Sequence, residues 1–354
     1  MSKGKVMVAM SGGVDSSVAA ALLIEQGYEV AGGIMRLWHN STEDAQKVAD
    51  SLGIKLYIFD YSRAFEEEIV NYFVDTYTEG KTPNPCIVCN KKFKFGAFLE
   101  RALELGYDYI ATGHYANIVK SENGLYDLTM SENRAKDQSY FLYNMTQRQL
   151  SHTLFPVGNY TKDFIREKAL KLGLNVAEKK DSQDICFIPN GEYTAFIKNR
   201  LDSNGSQALA KPGNYVNVKG EPIGTHQGII NYTIGQRNGL GMGFGKRMYV
   251  VSLDVLKNEV VLGDDSQVFS NSLKATQVSF VNEGIFEKQF LNCSARIRYG
   301  GVFVGCEVSF GGDMDNKFTY IINVKFEKPV RAVTPGQAVV FYDGERVLGG
   351  GTIL

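Results

Sequence analysis

The chain has 354 residues, of which 44% are hydrophobic and 22% charged, and its formal net charge is −1. That length suits two or three domains, and the composition excludes wholesale disorder. Near-neutrality excludes partners chosen by overall charge, so a nucleic acid would have to be met by a local basic patch.

The first half alternates short apolar runs with helical patterns. Strands are expected at Val6 to Met10, Tyr28 to Leu37, Ile54 to Asp60 and Tyr109 to Thr112. Helices are expected at Ser16 to Gln26, Thr42 to Leu52, Ser62 to about Tyr77, and Cys89 to Leu105. Ser41 and Asp44 are placed as a capping box for the second of these, with Gly53 as its stop. The alternation implies a doubly wound parallel sheet, an α/β fold whose ligands bind at the carboxyl ends of its strands. Helical patterns continue at Thr161 to Leu172 and Glu192 to Leu201, and Asp202 to Ser206 reads as a linker. Beyond it come short β-type runs at Tyr215 to Val218, Met248 to Leu253, Val260 to Leu262 and Thr276 to Val281. Others follow at Ala295 to Tyr299, Gly305 to Phe310, Phe318 to Phe326 and Ala338 to Tyr342. Lys219-Gly220 and Asp343-Gly344 sit where hairpin turns belong. The expected organisation is a catalytic domain over 1–201, a small central β-rich domain over 206–266, and a C-terminal β-barrel over 270–354.

The segment Ser11-Gly12-Gly13-Val14-Asp15-Ser16-Ser17 between a strand and a helix is the most informative in the chain. Gly12 and Gly13 let the backbone approach a phosphate, and the serine hydroxyls and free helix N–H groups supply donors. Asp15 is out of place beside phosphate unless Mg²⁺ lies between, so it is assigned to metal and loop geometry. The lysine of a Walker loop and the spacing of a dinucleotide fold are both missing. The loop resembles that of the N-type ATP pyrophosphatases, which split ATP to AMP and pyrophosphate by adenylating an oxygen.

Five cysteines, an odd number, do not make a disulfide framework and fit a reducing compartment. No apolar run approaches the ~18–20 residues needed to cross a bilayer. Lys3 and Lys5 precede an apolar stretch as in a signal peptide, but Asp15 and Gly12-Gly13 interrupt it, so the cytoplasm is expected and no membrane partner. Thr82-Pro83-Asn84-Pro85-Cys86-Ile87-Val88-Cys89 places Cys89 at an expected helix start, where N–H groups favour a thiolate. Cys186 stands among polar residues after Lys180-Asp181-Ser182-Gln183-Asp184. Cys293 and Cys306 fall on expected strands and read as inert core thiols. Cys86-x-x-Cys89 also reads as half of a zinc site, for which no second paired motif exists. Lys91, Lys92 and Lys94, interleaved with Phe93 and Phe95, form the densest basic patch.

Over nearly its whole length the chain resembles the tRNA-specific 2-thiouridylase family. The resemblance rests on Met10 to Ser17, Asn84-Pro85 through Cys89-Asn90, Ala111-Thr112-Gly113-His114-Tyr115, Lys136-Asp137-Gln138-Ser139-Tyr140-Phe141-Leu142, Asp184-Ile185-Cys186-Phe187-Ile188 and Thr334-Pro335-Gly336-Gln337. It implies an adenine nucleotide alpha hydrolase-like catalytic domain that uses ATP and Mg²⁺ to adenylate O2 of a wobble uridine, in tRNAs for Lys, Glu and Gln. A sulfur-relay protein would deliver a persulfide to Cys186, and Cys89 would be the nucleophile that frees the sulfur. ATP would be met by Ala9, Met10, Ser11, Gly12, Gly13, Val14, Asp15, Ser16, Met35 and Gly113, and the target base by Asn84, Pro85 and Cys86. The tRNA itself would be met by His114, Lys136, Asp137, Gln138, Arg298, Tyr299 and Gln337; no DNA partner is implied. Some members of the family have Asp where this chain has Cys86, so a carboxylate base is not expected here. The trio Cys86, Cys89 and Cys186 leaves a second route open, through an iron–sulfur cluster with one iron free to bind sulfide. Outside this family stand an ATP pyrophosphatase acting on a small carboxylate or amide, which leaves the cysteines without a job, and a tRNA-binding protein without catalysis.

Overall fold

The apolar runs of the first half assemble into a parallel sheet. A computed structural model describes residues 2–38, 41–174, 185–188, 191–201, 206–311 and 320–354. The strands of this half are β1 (Lys5–Ala9), β2 (Glu29–Arg36), β3 (Leu56–Asp60), β4 (Tyr109–Ala111), β5 (Ala116–Lys120), β6 (Tyr126–Met130) and β7 (Thr153–Leu154). Five of them form the sheet in the order β3-β2-β1-β4-β7, with every neighbouring pair parallel. The chain runs outward from β1 to β3, then returns across β1 to β4. A crevice therefore opens at the carboxyl ends of β1 and β4, where the direction of winding changes.

Side chains of β1 alternate between two cores, as strand geometry requires. Val6 and Val8 pack with Val18, Leu22, Val48 and Ile165, from helices Val14–Glu25, Glu43–Leu52 and Lys162–Lys171. Met7 packs on the opposite face with Phe65, Phe73, Phe93 and Phe98. That face is covered by two longer helices, over 62–78 and 85–104, each with a π-helical middle: Glu66–Val70 in the first and Asn90–Ala97 in the second.

Several local expectations need correction. The helix at Glu43 has Thr42 at its N-cap with no side-chain cap, and Ser41 Oγ accepts instead from the Glu43 N–H at 3.2 Å, so the Ser41–Asp44 capping box does not form. Gly53 does close that helix, in the left-handed region at φ 65°. The helix expected from Cys89 starts at Pro85, because Pro85 fits the first helical position and Asn84 Oδ1 accepts from the Ile87 N–H at 3.4 Å. The expected strand Ala295 to Tyr299 lies earlier, at Phe290–Arg296, and leaves Arg298 and Tyr299 in the following loop. Lys180 to Asp184, Phe318 and Thr319 lie outside the described residues.

The second half is β-rich as expected. A four-stranded sheet, β10-β11-β8-β9, is built from β8 (Gly213–Asn217), β9 (Pro222–His226), β10 (Tyr249–Asp254) and β11 (Glu259–Gly263). Then β12 (Phe269–Phe280), β13 (Phe290–Arg296), β14 (Val304–Gly311), β15 (Ile321–Arg331), β16 (Ala338–Asp343) and β17 (Arg346–Ile353) run in the order β12-β15-β14-β13-β16-β17. Pairing of β12 with β17 closes this sheet into a six-stranded barrel, which leaves no free edge in the ring. The β5–β6 hairpin, which the sequence reading passed over, joins the barrel from the N-terminal half: Arg346 pairs with Thr129 and Val347 with Leu128. Among the described residues no helix is long and apolar enough to cross a membrane.

Candidate functional site

The phosphate loop is built from the end of β1. Met10 donates its N–H to the Gly33 carbonyl at 2.9 Å, and the chain then turns through Gly12, whose φ of 67° suits glycine. A Cβ on Gly12 would also come within 2.9 Å of Asp44 Cβ. Gly13 is the extended N-cap of the helix that begins at Val14, and no side chain caps it. The first N–H groups of that helix are thus left for an anion. Inside the loop, Ser16 and Ser17 hydroxyls donate to the Gly13 carbonyl at 3.2 and 2.8 Å, and Ser11 N–H donates to Ser16 Oγ at 3.3 Å. Ser11 is exposed at the mouth, whereas Ser16 is buried and Ala9 half-buried. Gly113, at the end of β4, presses on this turn: a Cβ there would stand 2.7 Å from Ser16 N. Met35 is buried on β2 in the core on the Phe98 side.

Asp15 faces Lys162. The ammonium lies 2.8 Å from each carboxylate oxygen, and the Tyr115 hydroxyl donates to Oδ1 at 2.7 Å. The two side chains are 10% and 30% exposed, so the pair is only partly screened. Lys162 was missed by the sequence reading, although one signal was present. It occupies the first turn of a helix, where the macrodipole disfavours a cation unless a carboxylate holds it. Asp15 thus has the geometry of a loop anchor. Among the described residues no three His, Cys, Asp or Glu side chains gather to hold a metal ion. One carboxylate already neutralised by lysine fits a Mg²⁺ held chiefly by the phosphates of a nucleotide.

Two of the thiols, Cys86 and Cys89, lie at the start of the 85–104 helix, and the third is Cys186. Cys86 sits in the first turn of the 85–104 helix and is exposed, as is Cys186; Cys89, one turn further in, is buried. The expectation that Cys89 enjoys a helix start is therefore corrected, and so is the thiolate it implied. Burial pushes the Cys89 thiol up to about 12, Lys94 opposes the rise, and Cys186 and Cys86 add to it. Although both residues are exposed overall, desolvation of their sulfurs likewise raises the Cys86 and Cys186 thiols. Lys94 counters the shift at all three sulfurs. It reaches them through the π-helical register, in which residues five apart stack, so that position 94 stands over position 89. Lys94 is half-buried and no carboxylate pairs with it among the described residues, whereas Lys92 is spent on Glu68. The three sulfurs thus share one electrostatic neighbourhood. Among the described residues they do not gather into a metal-ligand group.

His114 follows Gly113 and lies between the rings of Phe95 and Phe155, at 5.7 and 6.1 Å. Its Nδ1 is 2.7 Å from Thr112 Oγ1, and burial, with Lys94 nearby, keeps its basicity well below the usual histidine range. The other residues expected at tRNA lie along the seam between the N-terminal half and the barrel. Tyr299, 45% exposed, packs on Phe141 with ring centroids 4.6 Å apart. Arg298 is exposed beside it, and Lys136 is half-buried. Asp137, expected as a direct contact, is instead buried. It accepts from Ser131 N–H at 3.0 Å and Ser139 Oγ at 2.9 Å, and faces Arg296 at 3.7 Å. It positions the barrel hairpin rather than presenting itself to a ligand. Gln138 exchanges hydrogen bonds with Tyr115, accepting at Oε1 at 3.0 Å and donating its N–H at 2.8 Å. Gln337 donates to the carbonyls of Thr82 and Pro83, both at 3.1 Å, and Thr82 N–H donates to Pro335 at 2.8 Å. The barrel's Thr334-to-Gln337 loop therefore grips the segment that carries Asn84, Pro85 and Cys86.

A parallel sheet with a glycine-rich phosphate loop at its switch point defines a nucleotide-binding fold of the adenine nucleotide alpha hydrolase class. Residues 4–190 match the tRNA methyl transferase HUP domain, 196–264 the tRNA methyl transferase PRC-barrel domain, and 270–353 the aminomethyltransferase beta-barrel domain. The chain is 48% identical to tRNA-specific 2-thiouridylase MnmA of Acetivibrio thermocellus, covering 100% of both chains. It is 47% identical to the protein of that name from Clostridium acetobutylicum, covering 99% of both. A crystal structure of a 4-thiouridine synthetase–RNA complex with bound ATP is a remote likeness, with 17% identity, a TM-score of 0.36, and coverage of 56% of this chain and 50% of that one. The chain belongs to the tRNA-specific 2-thiouridylase family.

Proposed function

We propose that this chain is the enzyme that uses ATP to replace O2 of a tRNA wobble uridine with sulfur. The observation that carries the reading is the joint presence of an open phosphate loop at Ser11 to Ser17 and three neighbouring thiols, on a chain similar along its whole length to 2-thiouridylases. In the first step uracil O2 attacks the α-phosphorus of ATP, and pyrophosphate leaves toward the helix N-terminus at Val14. This turns a poor leaving oxygen into AMP. The terminal sulfur of a Cys186 persulfide, supplied by a sulfur-relay protein, then adds at C2 and AMP departs. Cys89 attacks the Cys186 sulfur, which breaks the sulfur–sulfur bond, frees 2-thiouridine and leaves a Cys89–Cys186 disulfide for a thiol reductant to reopen. Uracil has to leave its stack to reach this chemistry.

Within this reading, Asp15 and Lys162 hold the loop that meets the nucleotide phosphates, and a Mg²⁺ bound with the nucleotide would offset their charge. Residues 1–201 serve as the catalytic module, 206–266 as a connecting module and 270–354 as a barrel that carries Arg298 and Tyr299 to the RNA. The enzyme works in the cytoplasm, where its tRNA and thiol reductants are found. The test is mass spectrometry of nucleosides from tRNA incubated with the protein, ATP, Mg²⁺ and a persulfide donor. A gain of 2-thiouridine that vanishes in Cys186→Ser is expected. No gain with the native chain, or an undiminished gain with Cys186→Ser, refutes the reading.

A further inference from the structure

Two cysteines lie outside the cluster of Cys86, Cys89 and Cys186, and they are not scattered. Cys293 on β13 and Cys306 on β14 are direct cross-strand partners in an antiparallel pair. Their sulfurs lie 3.7 Å apart. Residues directly opposite in such a ladder have Cα atoms about 4.5 or 5.5 Å apart, depending on the type of pair. Both spacings fall inside the roughly 4.4–6.8 Å that a disulfide spans, so rotation about the side chains suffices to close the bond. Cys306 is buried at 4% exposure, while Cys293 is half-buried.

We propose that Cys293 and Cys306 form a thiol-modification site, a dithiol that small-molecule disulfides of the glutathione class convert reversibly into a cross-strand disulfide. The Cys293 thiolate attacks the reagent disulfide, forming a mixed disulfide and expelling one thiolate. The Cys306 thiolate then attacks the Cys293 sulfur, closing the protein bond and expelling the second thiolate. Both protein protons pass to solvent or to the departing thiolates, so the dithiol loses two electrons and the reagent gains them as two thiols. The neighbouring Cys306 thiol, burial and Asp343 all keep Cys293 protonated, so the pair reacts slowly and remains a dithiol in a reducing medium.

The position of the pair gives the modification a target. β13 and β14 are joined by residues 297–303, which carry Arg298 and Tyr299. Arg296, at the root of this loop, donates from Nε to the Gly301 carbonyl at 3.0 Å and faces Asp137 of the catalytic half. A covalent staple just behind the loop fixes its two arms together and restrains the seam described above.

The test treats the full chain with graded mixtures of oxidised and reduced glutathione, quenches with an alkylating agent, and maps cysteine peptides by mass spectrometry. The expected result is joint loss of alkylation at Cys293 and Cys306, a linked peptide about 2 Da lighter than the two thiol peptides together, and reversal by reductant. Amide exchange across 297–303 should slow on oxidation in the native chain and not in Cys293→Ser. Cys306→Ser should stop at the mixed disulfide on Cys293. Alkylation of both thiols undiminished at the most oxidising mixture, or separate glutathione adducts with no linked peptide, overturns the proposal. The readout needs no tRNA or ATP, so it stands or falls apart from the thiolation reading.

Discussion

Cys89 gives the sharpest quantitative expectation. Its thiol is pushed up to about 12 by burial, against an ordinary cysteine near ~8.5. At pH 8 about one Cys89 in ten thousand is then a thiolate, whereas about a quarter of ordinary thiols are, a difference of roughly 2,000-fold in the reactive form. The assay is peptide-resolved alkylation by iodoacetamide from pH 7 to 9.5 in the absence of substrates. The logarithm of the Cys89 rate should rise by one unit per pH unit with no plateau. Restricted access lowers the rate but leaves this slope unchanged, so the profile separates the electrostatic cause from the steric one. Lys94→Met should slow Cys89 further at every pH, because Lys94 is the charge that opposes the rise, and Lys94→Arg should restore the rate. A Cys89 plateau below pH 9 in the native chain would refute the reasoning.

Three other perturbations follow from the site. Lys162→Met strips Asp15 of its ion-pair partner; for a part-buried contact to a charged group this costs about 2 kcal/mol in chemical unfolding and weakens ATP binding measured by calorimetry, with Lys162→Arg intermediate. Unchanged ATP affinity in Lys162→Met would show that the pair does not shape the loop. Gly113→Ala puts a methyl 2.7 Å from Ser16 N and should lower ATP affinity by tenfold or more, about 1.4 kcal/mol, while the circular dichroism spectrum is retained. His114 is held neutral by burial, so its folded basicity is depressed relative to the unfolded chain. Its stabilising contribution is complete above the unfolded value near ~6.5 and is lost as pH falls below it toward the folded value. The acid limb of the unfolding midpoint should therefore flatten in His114→Gln; an identical limb would remove His114 as its cause.

The strand–loop–helix unit around Ser11 was legible because its signals are local: an apolar run, two glycines and a helix pattern within about twenty residues. The hairpin turns at Lys219-Gly220 and Asp343-Gly344 were legible for the same reason. β17 was not, since Gly349-Gly350-Gly351 looks like a turn. It is a strand because its neighbours approach closely: a Cβ on Gly349 would lie 2.2 Å from the Ser279 carbonyl oxygen, and one on Gly350 2.4 Å from that of Val339. The site divides in the same way. The thiols were found by residue type, but the start of the Cys89 helix moved upstream because Pro85 and Asn84 act as its first residue and cap. The part played by Lys94 depends on a π-helical stretch that no local pattern announced. Lys162 lies 147 positions from Asp15, so only the folded chain brings them together.

The β5–β6 hairpin has a consequence for how the chain is made. At Leu128 and Thr129 its outer neighbour is β17, near the C-terminus, so these positions of β6 leave the ribosome without their strand partner. At a synthesis rate of about 5–20 residues per second the partner strand appears only roughly ten to forty seconds later. Until then this short stretch of β6 is a sheet edge open to pairing with other chains. A truncation before Arg346 would make that interval permanent. The barrel thus completes the N-terminal half as well as extending it, and shortened forms of the chain are expected to aggregate rather than persist as independent domains.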